Sequence, residues 1–107
     1  MNTDKIILGT VQMGTTYGIN NILGQIPFEE CHKILVEAYK CGITILDTAE
    51  GYGDSHKVIG DFHRANPDMI FSTFTKIDST NYIINIEEKI RQYLDELNIN
   101  KIEGLMF

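Results

Sequence analysis

The chain has 107 residues, 43% of them apolar and 22% charged, with a formal net charge of −6. This is the composition of one globular domain, and no apolar run approaches the roughly 18 residues that cross a bilayer. Nine basic residues stand scattered against fifteen acidic ones, so no positive patch forms and nucleic acid is excluded as an expected partner.

The first five residues, M-N-T-D-K, lack the basic-then-apolar order of a secretory signal, which makes the cytoplasm the expected compartment. Residues 5–11 form a mostly apolar run and read as a first strand, buried on both faces. A glycine- and asparagine-rich segment follows at 14–26. It exceeds the usual two to six residues of a strand-to-helix connection, and its place at a strand's carboxyl end suggests a functional loop. Pro27 suits a first helical position, Glu29 and Glu30 a first turn, and Cys31, Ile34, Leu35 and Ala38 share one helix face. Gly42 ends that helix. Cys31 and Cys41 lie ten residues apart on it, too far for a disulfide, and read as reduced thiols.

Residues 43–47 read as a second strand, after which Asp54 or Ser55 can cap a helix turning Val58, Ile59 and Phe62 inward. Asn66-Pro67-Asp68 makes a turn, residues 69–76 a third strand, and Ser79 or Thr80 a cap for a helix with Ile86, Ile90, Tyr93, Leu94 and Leu97 inside. Residues 101–107 read as a fourth strand. His56 and His63 share one helix but stand seven residues apart, or about 10 Å at about 1.5 Å per residue, too far to share a metal ion. The strand-helix alternation, about 30 residues per unit, argues for an α/β fold of parallel strands joined by helical crossovers. A (β/α)8 barrel of the TIM type takes about 250 residues, so the chain is expected to supply its first half.

The chemistry gathers at strand ends. Asp47 closes the second strand, Tyr52 follows on the loop, and Lys76 closes the third strand. Catalytic groups in parallel α/β barrels occupy such positions. A phenol titrates near 10, about three units too high for proton donation at neutral pH. A nearby ammonium favours the phenolate, and a carboxylate keeps the ammonium charged and oriented. Asp47, Lys76 and Tyr52 are the groups that such a phenolic acid needs. The same spacing also suits a structural Asp-Lys ion pair beside a packing tyrosine, or another parallel α/β domain altogether.

The elements Leu8-Gly9-Thr10, Asp47-Thr48-Ala49-Glu50-Gly51-Tyr52-Gly53, Ser55, Ile59-Gly60 and Thr75-Lys76 resemble, in order and spacing, the N-terminal half of the aldo-keto reductases, across essentially all 107 residues. The stretch 11–20, V-Q-M-G-T-T-Y-G-I-N, resembles a bacterial branch associated with surface-polysaccharide genes. The resemblance implies an oxidoreductase that reduces an aldehyde or ketone with NADPH. NADH is left open, because the groups that read the 2′-phosphate lie on later strands. Tyr52 is then the proton donor, Asp47 and Lys76 tune it, and Gly9, Thr10 and Asp47 line the nicotinamide end of the cofactor. No metal is implied. His56 stands where the family usually has glutamate, with an expected effect on the helix start and cofactor fit. The family's fourth catalytic residue, a histidine in a G-L-L-x-H type of element, would follow Gly104-Leu105-Met106-Phe107 directly. Residues 1–107 are therefore expected to be an incomplete barrel domain, truncated and inactive in isolation. The alternative is a catalytically silent half-barrel that self-associates through exposed strand edges, or a fragment of a longer enzyme.

Overall fold

The computed structural model describes residues 6–15, 25–78 and 85–106. Four short strands, β1 (Ile7–Gly9), β2 (Ile45–Asp47), β3 (Ser72–Lys76) and β4 (Gly104–Met106), form one parallel sheet in the order β1-β2-β3-β4. Helices α1 (Val11–Gly14), α2 (Phe28–Lys40), α3 (Ser55–Ala65) and α4 (Ile86–Leu97) connect them. Each strand lies beside its predecessor. Such an order belongs to a barrel arc, whereas a doubly wound sheet reverses direction at a switch point.

Side chains alternate across each strand, so the sheet has two chemically distinct faces. Leu46, Thr73 and Thr75 are fully buried beneath the helices. The core there joins Leu46 to Cys31 and Leu35 of α2, Val58, Ile59 and Phe62 of α3, and Tyr93 and Leu97 of α4. Ile7, Ile45, Asp47, Ser72, Phe74, Lys76 and Met106 alternate with that set and belong to the opposite face. Ile7 and Met106 there are 50% and 40% exposed. A barrel would turn this face inward, and here it is open.

Several expectations are sharpened by the packing. The first strand ends at Gly9, and Val11 begins a helical turn instead of closing the strand. The third and fourth strands open at Ser72 and Gly104, later than their apolar runs suggest. Pro27 is the residue before α2, not its first residue, while Gly42 ends the helix as expected with φ at 89°. Ile34 and Ile86, read as inward, are 37% and 41% exposed, because each stands at the flank of its helix's buried stripe. Asp54 precedes α3 without a capping bond from its side chain. Residues 79 and 80 lie outside the described residues, as do 16–24 of the long loop and Phe107. Asn85 caps α4, its Oδ1 accepting from the Glu87 N–H at 2.9 Å. Both cysteines are free thiols, and burial pushes that of Cys31 up from its ordinary pKa. No described helix is long and apolar enough to cross a membrane.

Candidate active site

The register pairs Gly9 with Asp47 and Asp47 with Phe74, and puts Lys76 two residues beyond Phe74 on β3. Asp47 and Lys76 thus close neighbouring strands on the same open face. The backbone between them is stapled: the Thr48 N–H donates to the Phe74 carbonyl at 2.8 Å and the Glu50 N–H to the Lys76 carbonyl at 2.9 Å. Tyr52, half-buried, follows in the turn from β2 to α3. Sheet pairing therefore brings all three expected residues to one end of the sheet.

Among the described residues no ion pair joins Asp47 to Lys76, so the salt bridge expected from their spacing is not formed. An offset of two residues along neighbouring strands separates the Cα atoms by about 8 Å, at about 3.3 Å per residue and 4.8 Å between strands. Lys76 is exposed, and its four-carbon stem is long enough to span that gap. The Tyr52 hydroxyl likewise bonds to no partner among the described residues.

The Tyr52 turn is fixed by close backbone approach. A Cβ at Gly14 would collide with the Tyr52 carbonyl, and one at Gly53, whose φ is 55°, with the Gly14 carbonyl. The Asp54 N–H donates to that Gly14 carbonyl at 3.1 Å. Beneath the turn, Thr10, Thr48 and Ser55 are completely buried. Ser55 Oγ lies 2.8 Å from both Thr10 Oγ1 and Thr48 Oγ1, and Thr10 Oγ1 donates to the Asp47 carbonyl at 3.0 Å. The Thr10 hydroxyl, expected near a cofactor, is thus spent inside the helix-facing layer, where it ties the end of β1 to the end of β2. Gly9 is different. A Cβ there would meet nothing within 4 Å, so its exposed backbone leaves open space beside Asp47.

Sequence reasoning missed a polar cluster around Glu50. Its carboxylate accepts from Lys89 Nζ at 2.5 Å, Tyr93 Oη at 2.7 Å and the Asp78 N–H at 3.2 Å. Burial raises the Glu50 pKa, yet the bonds from Lys89, Tyr93 and the Asp78 N–H outweigh it and bring the group down to about 2. Burial, and then the Glu50 carboxylate, push the Tyr93 phenol up. Lys89 and Tyr93 stand four residues apart on α4, and that spacing was the available signal. Tyr93 is core, as its place on the apolar stripe implies, and its hydroxyl adds the bond to Glu50.

His56, the second residue of α3, joins that helix to β3 and α4. Its Nδ1 lies 3.0 Å from Glu96 Oε1, its Nε2 2.7 Å from Thr75 Oγ1, and its ring meets Tyr93 edge-on at 5.0 Å. His63 is structural: Nε2 accepts from the Phe71 N–H at 3.0 Å, which leaves the proton on Nδ1 to donate to the Leu97 carbonyl at 2.8 Å. Among the described residues no group of three His, Cys, Asp or Glu side chains could hold a metal.

Two solved structures described as putative aldo-keto reductases from Pseudomonas aeruginosa superpose with TM-scores of 0.72 and 0.69, each at 23% identity and covering 94% of this chain. The chain spans 41% and 40% of those two solved chains. No curated protein sequence matches it. The model of the Aldo/keto reductase family matches residues 5–107, from the first strand to the last, and the chain belongs to that family.

Proposed function

We propose that this segment carries the acid-base half of an NADPH-dependent carbonyl reductase, with Tyr52 as the proton donor to an aldehyde or ketone. One observation carries the reading: Asp47 and Lys76 close adjacent parallel strands on the open face, with Tyr52 on the loop beyond. The space beside Gly9, at the level of Asp47, fits a flat ring lying against bare backbone.

A bound reduced nicotinamide supplies a hydride to the carbonyl carbon, and the protein's residues handle the proton. The Tyr52 O–H bond breaks as its proton passes to the carbonyl oxygen, converting the carbonyl to an alcohol. Lys76, folded back toward Tyr52, stabilises the phenolate left behind, and Asp47 keeps that ammonium charged and oriented. Gly9 and Asp47 line the nicotinamide end, with Thr10 acting from behind by holding the strand ends together. The cytoplasm, with its reducing pool, is the proposed setting.

The test is NADPH oxidation by the enzyme that contains this segment, using an aromatic aldehyde. Tyr52→Phe is expected to lower kcat by about 100-fold or more, in line with the loss of a general acid. Full activity in that variant sinks the proposal. Residues 1–107 assayed alone are expected to turn over little NADPH, because the family's histidine and its adenosine-phosphate site belong to later strands. A second reading has its own observation, the exposed apolar residues of the open face. In it the isolated chain pairs with a second copy of itself.

A further inference from the structure

The Glu50 cluster is an unusual expenditure for a small fold. Glu50 and Lys89 form an ion pair with only 17% and 11% of their side chains exposed. A buried pair of this kind is a poor source of net stability, because desolvating two charges consumes most of what their attraction returns. Apolar residues of similar volume would hold α4 against the sheet as well. What the ion pair supplies, and apolar packing does not, is direction.

That direction bears on the Tyr52 turn. Glu50 stands three residues after Asp47 and two before Tyr52. Its N–H is tied to the carbonyl of Lys76, while its carboxylate is tied to α4 and to the N–H of Asp78, two residues after Lys76. One residue therefore grips the last residue of β3 and the chain just beyond it, on either side of Ile77, and anchors the turn that carries Tyr52. From the other end of the turn, His56 reaches Thr75, the neighbour of Lys76, and Glu96 of α4.

We propose that Glu50, held by Lys89 and Tyr93, is a positioning residue that fixes the Tyr52 turn relative to the Lys76 end of β3. This rests on the role given to Tyr52 above. Glu50 itself touches neither substrate nor cofactor. It acts by limiting the turn to one placement, so that the phenol and the ammonium meet the same carbonyl oxygen. Misplacement by about 1 Å is enough to cost on the order of 100-fold in such reactions.

Amide hydrogen exchange on the 107-residue chain tests the anchoring independently of any catalysis. Glu50→Ala is expected to accelerate exchange at the Glu50, Tyr52 and Asp78 amides at least tenfold. The Phe71 and Ser72 amides, bonded to His63 and Thr44 at the opposite end of β3, should be unchanged. Tyr93→Phe removes one hydroxyl while keeping the ring, and is expected to give a smaller acceleration at the same amides even if Glu50→Ala fails to fold. Unchanged exchange at Tyr52 in Tyr93→Phe and Glu50→Ala, or equal acceleration throughout the sheet, overturns the proposal.

The link to chemistry is read in the enzyme that contains this segment. Glu50→Ala is expected to lower kcat at least tenfold with little change in the KM for NADPH, Glu50→Gln should recover part of the loss, and in a Tyr52→Phe background Glu50→Ala should add none. Wild-type kcat in Glu50→Ala, beside a defective Tyr52→Phe, overturns the positioning role while leaving the proton donor intact. An active Tyr52→Phe fails the functional reading instead.

Discussion

Tyr52, Asp47 and Lys76 owe their common location to two different local causes. Asp47 and Lys76 end short β-branched runs, and Tyr52 falls between two glycines. Around them sit titratable groups whose states are set by burial, and these predict how the fold responds to acid. Burial holds the His63 pKa below its ordinary value despite the bond to the Leu97 carbonyl, so the folded chain resists a proton that the unfolded chain accepts. Stability contributed by the neutral ring is present above about 6.5, the unfolded value, and falls as pH drops below it. Glu50 acts lower. Its pKa of about 2 lies below an unfolded glutamate's, so its contribution is present above about 4.5 and is lost between there and about 2. A shift of that size corresponds to about 3 kcal/mol. Chemical denaturation followed from pH 8 to pH 3 should therefore show two declining limbs. His63→Gln, which can keep both hydrogen bonds without titrating, is expected to flatten the upper limb, and Glu50→Gln the lower. A His63→Gln chain with an unaltered upper limb rules out the assignment.

At the scale of elements, α3 and α4 are the pair on which the site leans. Gly60 makes their close approach available: a Cβ there would collide with the Glu96 carbonyl on α4. The obstacle is backbone, which cannot rotate aside. Gly60→Ala gains helix propensity of about 1 kcal/mol, but overpacking costs about 1–3 kcal/mol or more, so the net effect is destabilising. The separation should also draw Glu96 away from His56. Thermal unfolding with amide exchange at Thr75 and Lys76 checks both effects, and a variant as stable as the parent would show that the helices have room to spare. The Ile59-Gly60 pair was visible as part of the family pattern, but nothing in the sequence says which helix backbone Gly60 faces. Likewise, Lys89 reads as a solvated charge until α4 is docked and its amine is found against Glu50.

At the scale of the whole molecule, the helices among the described residues cover one face of the sheet and leave the other open. Among the described residues the outer edges of β1 and β4 have no strand partner. Unpaired edges and exposed apolar side chains favour association, and two copies of four strands provide eight. Light scattering of the 107-residue chain is expected to give a mass above that of one chain, and Ile7→Lys with Met106→Lys to shift it toward the monomer. A monodisperse monomer at tens of micromolar would discard self-association while leaving the proposed chemistry untouched.

The sequence by itself determined the alternation of strands and helices, the family, and the three chemical groups at the strand ends. Those depend on local features: short apolar and β-branched runs in the strands, helix stripes, and the glycines on either side of Tyr52. The tertiary structure decided what lies between distant segments. Parallel pairing set the two-residue offset between Asp47 and Lys76 on one face of the sheet. Docking of α4 converted Glu50, Lys89 and Tyr93 into one cluster, and put His56 against Thr75. Hydrogen bonds across about 40 residues of chain are fixed by how elements pack, and the chain's local preferences carry no record of them.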